Sequence, residues 1–398
     1  MHTHRPQSGI VLVTFAISAL SLMLFLGLVV DVGFLYMSRA ALSKGVDAAA
    51  LMGVRNLSAG EATAQQLAIN TFNLNYDASG MPARQAEAPT VTVTFPTSGG
   101  MKTVKVVATV RIKTYLVRLI PGLDKITTGS IAQASRARLV LGMVLDRSGS
   151  MLDNGGAAAL PGAAGAFIDY FDNTSDQAGL ASYSDGATLD VAMGPNFKTP
   201  IHSKINTLHF GGWTFAHGGI DISRTQINGA TVPAGENVLR VMVFFTDGQA
   251  NSFKASTECK KNKFQDLVLV PGSATDDFRD PSTGATVTCT ANTTQTFFAQ
   301  HRVPPGNMTR NSANVEDEGL YRAEQSAALV RGDKTLVFAI GLGNDINRSS
   351  LLCMANDPAC AHFNAAQPIG AAVFAPTSAQ LQDAFRQIAA KILLRLVQ

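Results

Sequence analysis

The sequence predicts an α/β protein in which a doubly wound, mainly parallel sheet follows a transmembrane helix and a small β-rich unit. From residue 139 onward, apolar segments of strand length alternate with helical segments, a pattern typical of a parallel sheet covered on both faces. Residues 9–30 contain no charged side chain and are long enough to cross about 30 Å of hydrocarbon as a helix. Between these regions, apolar and polar residues alternate with a period of two, which indicates strands.

The N-terminal segment predicts a membrane anchor. Arg5 lies in the short tail of residues 1–8, and the first acidic residue after the apolar run is Asp31. This charge distribution is a positive-inside signal and predicts a single-pass protein with a cytoplasmic N-terminus. A cleaved signal peptide is the alternative, but its apolar core would span only about 7–15 residues and end at a small-residue cleavage site. The run here is longer and no A-x-A pattern follows it, which favours a retained anchor.

Residues 31–57 contain mostly helix formers and no proline, so an extended helix is expected to continue beyond the membrane. The spaced residues Asp31, Gly33, Tyr36 and Arg39, followed by "VDAAALMG", resemble the N-terminal segment of TadE/TadG-like proteins of the Flp (tight adherence) pilus system. The resemblance implies a role in pilus assembly or adhesion. It also implies a location in the bacterial inner membrane, with the bulk of the chain periplasmic or surface-exposed.

One departure from pilin-type relatives concerns processing. Those relatives are cut after a glycine and carry a glutamate five residues later, which helps subunits register during assembly. The corresponding glycine here is Gly9, and the position of the glutamate is occupied by Thr14. This difference argues against cleavage and packing as a repeating pilin subunit.

Residues 58–138 are expected to form a small, β-containing periplasmic unit. A helix is predicted over residues 60–76, and period-two alternation predicts strands over residues 90–95 and 102–112. Two strands alone would be marginally stable, so they are expected to pack on a helix or on the next domain. This unit shows no catalytic or ligand-binding motif.

Residues 139–398 carry the alternating pattern. Apolar strands are predicted over residues 139–145, 177–184, 238–248 and 334–343. A helix is expected to begin near Pro161, and an amphipathic helix closes the chain. In sheets of this class, ligands collect at the carboxyl ends of the strands.

Oxygen-bearing side chains follow two of these strands. Asp146 ends the first strand and is followed by Ser148 and Ser150, and Asp247 ends the strand of "FFTDG". A further hydroxyl is available from Thr214 in the glycine-rich "FGGWTFAHGGI". Two carboxylates at one sheet edge repel each other unless a cation or a hydrogen-bond network is present. Since all of these donors are hard oxygens, the pattern predicts a Mg²⁺ or Mn²⁺ site.

This set resembles the metal-ion-dependent adhesion site (MIDAS) of von Willebrand factor A (VWA) domains. In that family, D-x-S-x-S follows the first strand, a threonine comes from a G-G-T loop, and an aspartate from a later T-D-G strand end. The resemblance implies that Ser148, Ser150 and Thr214 are direct ligands and that Asp146 and Asp247 act mostly through water. It also implies an open coordination position for an acidic group of a partner protein. Trp213, which separates the glycines from Thr214, departs from the usual pattern.

Several residues near the motif have simpler explanations. Taken alone, "DRSGS" could be ordinary turn chemistry at a strand end, since Asp and Ser readily cap loops. Asp153, Asp185 and Asp190 are expected to be surface loop carboxylates. His209 and His217 are expected to have structural or solvent-facing roles, because the proposed ligands are all oxygens.

The four cysteines predict disulfides if the chain is exported. Of the three possible connectivities, the local pairing Cys259–Cys289 and Cys353–Cys360 is the one we predict. Cys259 and Cys289 lie in an expected insertion from residue 251 to about residue 319, which is longer than ordinary connections. This insertion could control partner access or be a passive, disulfide-pinned loop.

Composition and motifs narrow the range of possible functions. The formal net charge of +3 and the lack of a long basic run give nucleic-acid binding no electrostatic support. Neither G-x-S-x-G nor the phosphate-binding GxxxxGK[ST] pattern occurs at the motif, so we expect no enzyme activity. The leading hypothesis is a membrane-anchored pilus assembly or adhesion factor that binds protein partners, including pilus or secretion components, through Mg²⁺. The alternatives are a structural pilus-associated subunit with a non-functional metal site and a metal-dependent surface hydrolase.

Overall fold

A computed structural model describes residues 8–77, 87–98, 101–234, 237–260, 263–271, 277–289 and 296–396. The predicted cytoplasmic tail, residues 1–8, lies outside the described residues except for Ser8. The chain divides into two compact units, one ending at Arg136 and one running from Ala137 to Leu396.

The first unit begins with a single long helix, α1 (Ser8–Arg55), which includes the predicted membrane span and its predicted extension up to Arg55, two residues before the expected end. Within the described residues, this is the one helix long and apolar enough to cross a membrane, by length and composition. The helix α2 (Glu61–Asn75) follows after a short turn. It buries a stripe of Ala64, Ala68 and Phe72, which share a face because they are spaced four residues apart.

A four-stranded antiparallel sheet completes this unit. Its strands are β1 (Thr90–Thr94), β2 (Thr97–Ser98), β3 (Met101–Lys113) and β4 (Lys125–Ser135). The two predicted strands correspond to β1 and β3. Strand β4 was not predicted, and all of its residues pair with β3. One face of β3, including Val104, Val106 and Val110, packs with Leu42 and Phe72 of the helices. The strands are therefore stabilised by the helices of their own unit.

The second unit contains a larger set of strands. In chain order they are β5 (Arg138–Asp146), β6 (Gln177–Tyr183), β7 (Ala187–Gly194), β8 (Val238–Thr246), β9 (Phe253–Lys260), β10 (Lys263–Leu269), β11 (Asp277–Arg279), β12 (Thr286–Thr288), β13 (Thr296–Ala299), β14 (Gly306–Thr309), β15 (Leu336–Leu342) and β16 (Ala371–Ala375). Its helices are α3 (Ser150–Asp153), α4 (Gly156–Asp169), α5 (Lys198–Ile205), α6 (Ala216–Asn228), α7 (Ser312–Gly332), α8 (Arg348–Met354) and α9 (Leu381–Leu396).

Six of the strands form the main sheet, in the order β16-β15-β8-β5-β6-β7. All neighbouring pairs are parallel except β6 and β7, so the predicted doubly wound, mainly parallel sheet is confirmed. Alternate residues of β5 enter two different cores: Leu141 and Met143 join the one containing α4 and α9, and Val140 and Val144 join the one containing α6 and α7. The central strand is buried on both faces, which explains its unbroken apolar sequence.

The helix expected to begin near Pro161 begins five residues earlier, at Gly156. The intervening run Ala157–Ala159 favours helix strongly enough to extend it toward the N-terminus. Pro161 therefore lies inside the helix, where its missing N–H removes the hydrogen bond to the carbonyl of Ala157.

The insertion between β8 and α7 has its own structure. Strands β9 to β12 form an antiparallel sheet, and β13 and β14 form a hairpin. Residues 312–319, included in the expected insertion, form the first turns of α7 instead, so the insertion is residues 251–311. The predicted disulfides Cys259–Cys289 and Cys353–Cys360 are both present. The first of them joins strand β9 to the residue that follows β12 in the insertion sheet.

Candidate metal-binding site

Asp146 is the last residue of β5 and is fully buried. Its Oδ1 accepts a hydrogen bond from the backbone N–H of Ser148 at 2.8 Å, which turns the chain sharply after the strand. This turn brings Ser148 Oγ within 3.1 Å of Ser150 Oγ, at the start of α3. The local sequence therefore places a carboxylate and two hydroxyls side by side.

Asp247 follows β8, the strand beside β5 in the sheet. Because the two strands are parallel, their carboxyl ends lie at the same edge. The Ser150 hydroxyl donates to Asp247 Oδ1 at 2.7 Å, and Asn154 Nδ2 donates to Asp247 Oδ2 at 3.1 Å. Four of the five residues predicted as metal ligands are thus joined in one hydrogen-bonded group.

Thr214, the fifth, lies in the glycine-rich loop before α6 and is 3 % exposed. Its backbone N–H donates to Oδ1 of Asn251 at 2.7 Å, and Asn251 follows Asp247 by four residues in the chain. On the other side of the loop, Gly149 N–H donates to the carbonyl of Gly212 at 3.0 Å. The backbone of this loop therefore holds Thr214 between the segment after β5 and the segment after β8.

Gly212 is required by this arrangement. Its φ of +83° lies in the left-handed region, and a Cβ at this position would overlap the Asp185 carboxylate. The glycine pair before Trp213 thus allows the loop to approach a neighbouring side chain closely.

The electrostatics of the edge favour a cation. Burial raises the pKa of Asp146, and the nearby charge of Asp247 raises it further. Burial also raises the pKa of Asp247, against the hydrogen bonds from Ser150 and Asn154. The guanidinium of Arg147 points elsewhere and donates to Ser182 Oγ at 3.2 Å and Ser184 Oγ at 2.7 Å. Two buried carboxylates with a mutual repulsion are the kind of site that a bound cation stabilises.

The donor set consists of oxygens. In the described part of the chain, no three side chains drawn from His, Cys, Asp and Glu lie together as a metal-holding cluster. A metal at this edge would depend on hydroxyl ligands in addition to the two carboxylates, which suits Mg²⁺ or Mn²⁺ better than a softer ion.

Two residues that support Asp146 were missed by the sequence analysis. Thr246 Oγ1 donates to Asp146 Oδ2 at 2.7 Å. The Tyr183 hydroxyl lies 3.3 Å from the same oxygen and donates to the carbonyl of Phe245 at 2.9 Å. Thr246 could have been found as the hydroxyl beside Asp247, whereas Tyr183 looks like any other residue of an apolar strand.

Asp185 lies in the loop between β6 and β7, as predicted, but it is only 24 % exposed and makes contacts that were not predicted. Its Oδ1 accepts a hydrogen bond from the Trp213 backbone N–H at 2.9 Å, and Arg279 Nε of the insertion lies 3.6 Å from its Oδ2. Ala187 N–H also donates to the carbonyl of Pro281 in the insertion at 2.9 Å. The insertion is therefore attached to the loop that supports Thr214.

The two histidines near the threonine loop differ. His209 is exposed, whereas His217 is buried, and its Nε2 accepts a long hydrogen bond of 3.4 Å from the backbone N–H of Lys254. Burial, with the charges of Arg322 and Lys254, lowers the pKa of His217 to about 3. A neutral, buried imidazole fits a structural role.

Two family models match the chain. The model described as putative Flp pilus-assembly TadE/G-like matches residues 9–56. The model of the von Willebrand factor type A domain matches residues 141–278, which include all five predicted ligand residues. No curated protein matches the chain.

Several solved structures are similar to parts of this chain at low identity. The vWF domain of the type V pili tip protein Mfa5 from Porphyromonas gingivalis is 14 % identical, with a TM-score of 0.45, over 66 % of this chain and 97 % of that chain. The pilus adhesin SpaC from Lactobacillus rhamnosus GG is 12 % identical, with a TM-score of 0.43, over 81 % of this chain and 36 % of that chain. Proximal thread matrix protein 1 from the mussel byssus, with a zinc occupied MIDAS motif, is 14 % identical, with a TM-score of 0.36, over 65 % of this chain and 46 % of that chain. From the two family matches, the chain carries a TadE/G-like N-terminal segment and a von Willebrand factor type A domain.

Proposed function

We propose that this chain is a membrane-anchored pilus assembly or adhesion factor of the Flp (tight adherence) type. Its VWA domain binds protein partners through Mg²⁺, or Mn²⁺, held by the five residues Asp146, Ser148, Ser150, Thr214 and Asp247. The TadE/G-like match and the apolar helix α1 support anchoring as a single-pass protein of the bacterial inner membrane, with the N-terminus in the cytoplasm. The observation that carries the binding role is the oxygen-lined edge at the ends of β5 and β8.

The spacing of the hydroxyls supports a small octahedral ion. Adjacent ligands of an octahedron with bonds of about 2.1 Å lie about 3.0 Å apart. The Ser148 and Ser150 hydroxyls are separated by 3.1 Å, and Ser150 Oγ lies 2.7 Å from Asp247 Oδ1. Small shifts of these side chains would give a set of neighbouring ligand positions.

The division of roles follows from burial and hydrogen bonding. A bound ion would supply positive charge and an open position for a carboxylate of the partner. Asp146 is held by Ser148, Thr246 and Tyr183, so it orients the loop and balances charge from a fixed position. Ser148, Ser150 and Thr214 offer neutral oxygens, which leaves the ion electrophilic toward an acidic partner.

The insertion fits a role in partner selection. Its attachment to the Asp185 loop, through Arg279 and Pro281, extends the surface beside Thr214. Arg279 is 16 % exposed and pairs with Asp185, so it fixes the insertion beside the site. Specificity would then come from this surface, and the metal would supply the common carboxylate contact.

Calorimetry of the full chain in detergent tests the metal site. We expect Mg²⁺ and Mn²⁺ to bind with one-to-one stoichiometry, and Asp146→Ala or Asp247→Ala to abolish the signal. Asp383→Ala is a matched control, because Asp383 is a 64 %-exposed carboxylate on α9 that pairs with Arg386. Binding of equal strength in the Asp146 variant would rule out the assignment.

An adherence or pilus assembly assay tests the function. A working binding site predicts that cells carrying the Asp146→Ala variant lose adherence or assembly while the protein remains in the membrane. Full activity of that variant would instead favour a structural subunit with a non-functional metal site.

A further inference from the structure

The loop between β3 and β4, residues 114–124, is unusually apolar for an exposed segment. Its sequence is "TYLVRLIPGLD", and it exposes Leu119 by 68 % and Ile120 by 55 %. Tyr115 and Leu123 are also exposed, by 43 % and 39 %. A group of large apolar side chains exposed in one loop is typical of a surface that contacts a membrane or another protein.

This loop is attached to α1 by a single carboxylate. Asp31 Oδ1 accepts the backbone N–H of Tyr115 at 2.7 Å, and its Oδ2 accepts those of Leu116 and Val117 at 3.0 Å each. Asp31 is only 3 % exposed, and the rings of Phe34 and Tyr115 lie beside each other with centroids 5.8 Å apart. Asp31 thereby fixes the position of the loop along the axis of α1.

The point of attachment lies at the end of the charge-free run of residues 9–30. Leu116 packs against Gly27, where an added Cβ would overlap the leucine side chain. Gly27 is buried, whereas the flanking helix residues are exposed. Gly27 lies one helical turn, or about 6 Å, further into the apolar run than Asp31. The loop therefore contacts α1 inside the segment that a bilayer would surround.

We propose that the 114–124 loop inserts Leu119 and Ile120 into the interfacial region of the same bilayer that α1 crosses, on the side of the folded units. The loop is a second membrane contact, and it fixes the depth and tilt of the helix. This inference rests on the proposed anchoring of α1 in a membrane.

The backbone of the loop is suited to an apolar environment. A polar group without a partner is costly there. Asp31 accepts from three N–H groups, and two further ones are bonded within the loop: Leu119 N–H donates to the carbonyl of Leu116 at 3.0 Å, and Ile120 N–H to that of Val117 at 3.0 Å. The exposed Arg118 directly precedes Leu119 in the sequence, and a cation next to apolar side chains suits the interfacial region, where lipid phosphates lie.

Site-specific fluorescence on the full chain tests this proposal. All four native cysteines are in disulfides, so Ile120→Cys provides one free thiol for an environment-sensitive fluorophore. Ile131→Cys on β4 is the matched control, since Ile131 is 58 % exposed in the same unit. Both labelled proteins are reconstituted into vesicles of phosphatidylcholine and phosphatidylglycerol.

The expected result is a blue-shifted emission at position 120, strong quenching by lipids with a nitroxide near the headgroup, and several-fold weaker quenching by aqueous iodide than at position 131. Asp31→Ala should restore iodide access at position 120, whereas Asp47→Ala, at an exposed carboxylate further along α1, should leave it unchanged. Equal iodide access at positions 120 and 131 overturns the proposal. Protection that grows with the protein-to-lipid ratio also overturns it, because a second copy of the chain would then cover the loop.

Extraction with alkaline carbonate separates this inference from the proposed anchoring. A chain that is released from vesicles contradicts the anchor itself. A chain that stays in the membrane while iodide freely reaches position 120 contradicts only the insertion of the loop.

Discussion

The hydroxyl of Ser150 donates to the carboxylate of Asp247 at 2.7 Å, across 97 residues of sequence. This hydrogen bond joins the loop after β5 to the end of β8. Because Ser150 Oγ also lies 3.1 Å from Ser148 Oγ, it stands in the middle of the proposed ligand group. A cation at this edge would bind a lone pair of the Ser150 oxygen while the hydroxyl proton stays on the Asp247 carboxylate, so metal binding and this hydrogen bond are compatible.

Asp247→Asn should stabilise the metal-free protein and remove its stabilisation by Mg²⁺. The substitution removes the repulsion that raises the pKa of Asp146, and the Asn oxygen still accepts from Ser150. The new NH₂ group replaces the oxygen that accepts from Asn154, so the Asn154 amide has to turn and present its own oxygen. We expect a gain of about 1 kcal/mol in the free energy of unfolding in chelator, since one pKa unit corresponds to about 1.4 kcal/mol. Thermal unfolding with chelator and with Mg²⁺ measures both effects. A variant that still gains stability from Mg²⁺ as the parent does would contradict the role of Asp247.

Thr246→Val should destabilise the protein by about 1.5–3 kcal/mol, because it leaves Oδ2 of the buried Asp146 with only the longer contact to Tyr183. Valine keeps the shape of threonine, so packing is largely preserved. Metal affinity should fall by about 10- to 100-fold, as is usual when a residue that orients a ligand is removed. Urea unfolding and calorimetry provide the two measurements.

Tyr183→Phe is the companion variant for this prediction. Its hydroxyl lies 3.3 Å from Asp146, so its removal should have a smaller effect than that of Thr246. The opposite order would show that the tyrosine, and not the threonine, holds the carboxylate.

The strand ends were predictable from sequence because their chemistry is local. Asp146, Ser148 and Ser150 lie within five residues, and Asp247 ends an apolar strand, so the parallel-sheet rule was enough to expect them at one edge. The role of Asp185 was not predictable in this way. It depends on the Trp213 backbone, 28 residues away, and on Arg279 in the insertion, and no pattern within a single segment encodes either contact.

The position of the 114–124 loop in the first unit could not be predicted from the sequence either. The motif residue Asp31 could be read as the end of the membrane run, but its three hydrogen bonds are to residues 84–86 positions later in the chain. The sequence pattern predicts where Asp31 lies along the helix, but only the fold shows that its carboxylate binds the 114–124 loop.

The contribution of His217 to stability should fall as the pH decreases from about 6.5 toward 3. It opposes the contribution of Asp146, whose raised pKa lets the folded state take up a proton first in the same range. The pKa of this buried imidazole is lowered from its ordinary value of 6.5 to about 3, so only the unfolded chain takes up a proton in that range. Each pH unit can then cost up to about 1.4 kcal/mol. Above pH 6.5 both states are neutral at this residue, and the contribution is constant.

Unfolding in urea between pH 7.5 and 5, with chelator present, measures this dependence. His217→Gln should lose less stability toward low pH than the parent, because the amide does not titrate. His209→Gln, at an exposed histidine, should behave as the parent does. The same pH dependence in His217→Gln and in the parent would contradict the role of His217.

Glu318→Ala should release the insertion from the scaffold while leaving the main sheet folded. The Glu318 side chain is fully buried on α7 and accepts hydrogen bonds from the backbone of Gln300 and His301, from the His301 ring at 2.7 Å, and from Arg322 Nε at 2.7 Å. Removing one member of a buried ion pair typically costs about 3–5 kcal/mol.

Hydrogen exchange locates the effect of this substitution. The amides of β13 and β14 should lose protection, and those of β5 and β8 should keep it, because the groups that Glu318 binds lie in the insertion and on α7. Asp317→Ala is the matched control, since the neighbouring Asp317 is exposed. If the insertion selects the partner, Glu318→Ala should also weaken adherence with Mg²⁺ binding intact. Normal adherence with an unprotected insertion would show that the insertion is a passive loop.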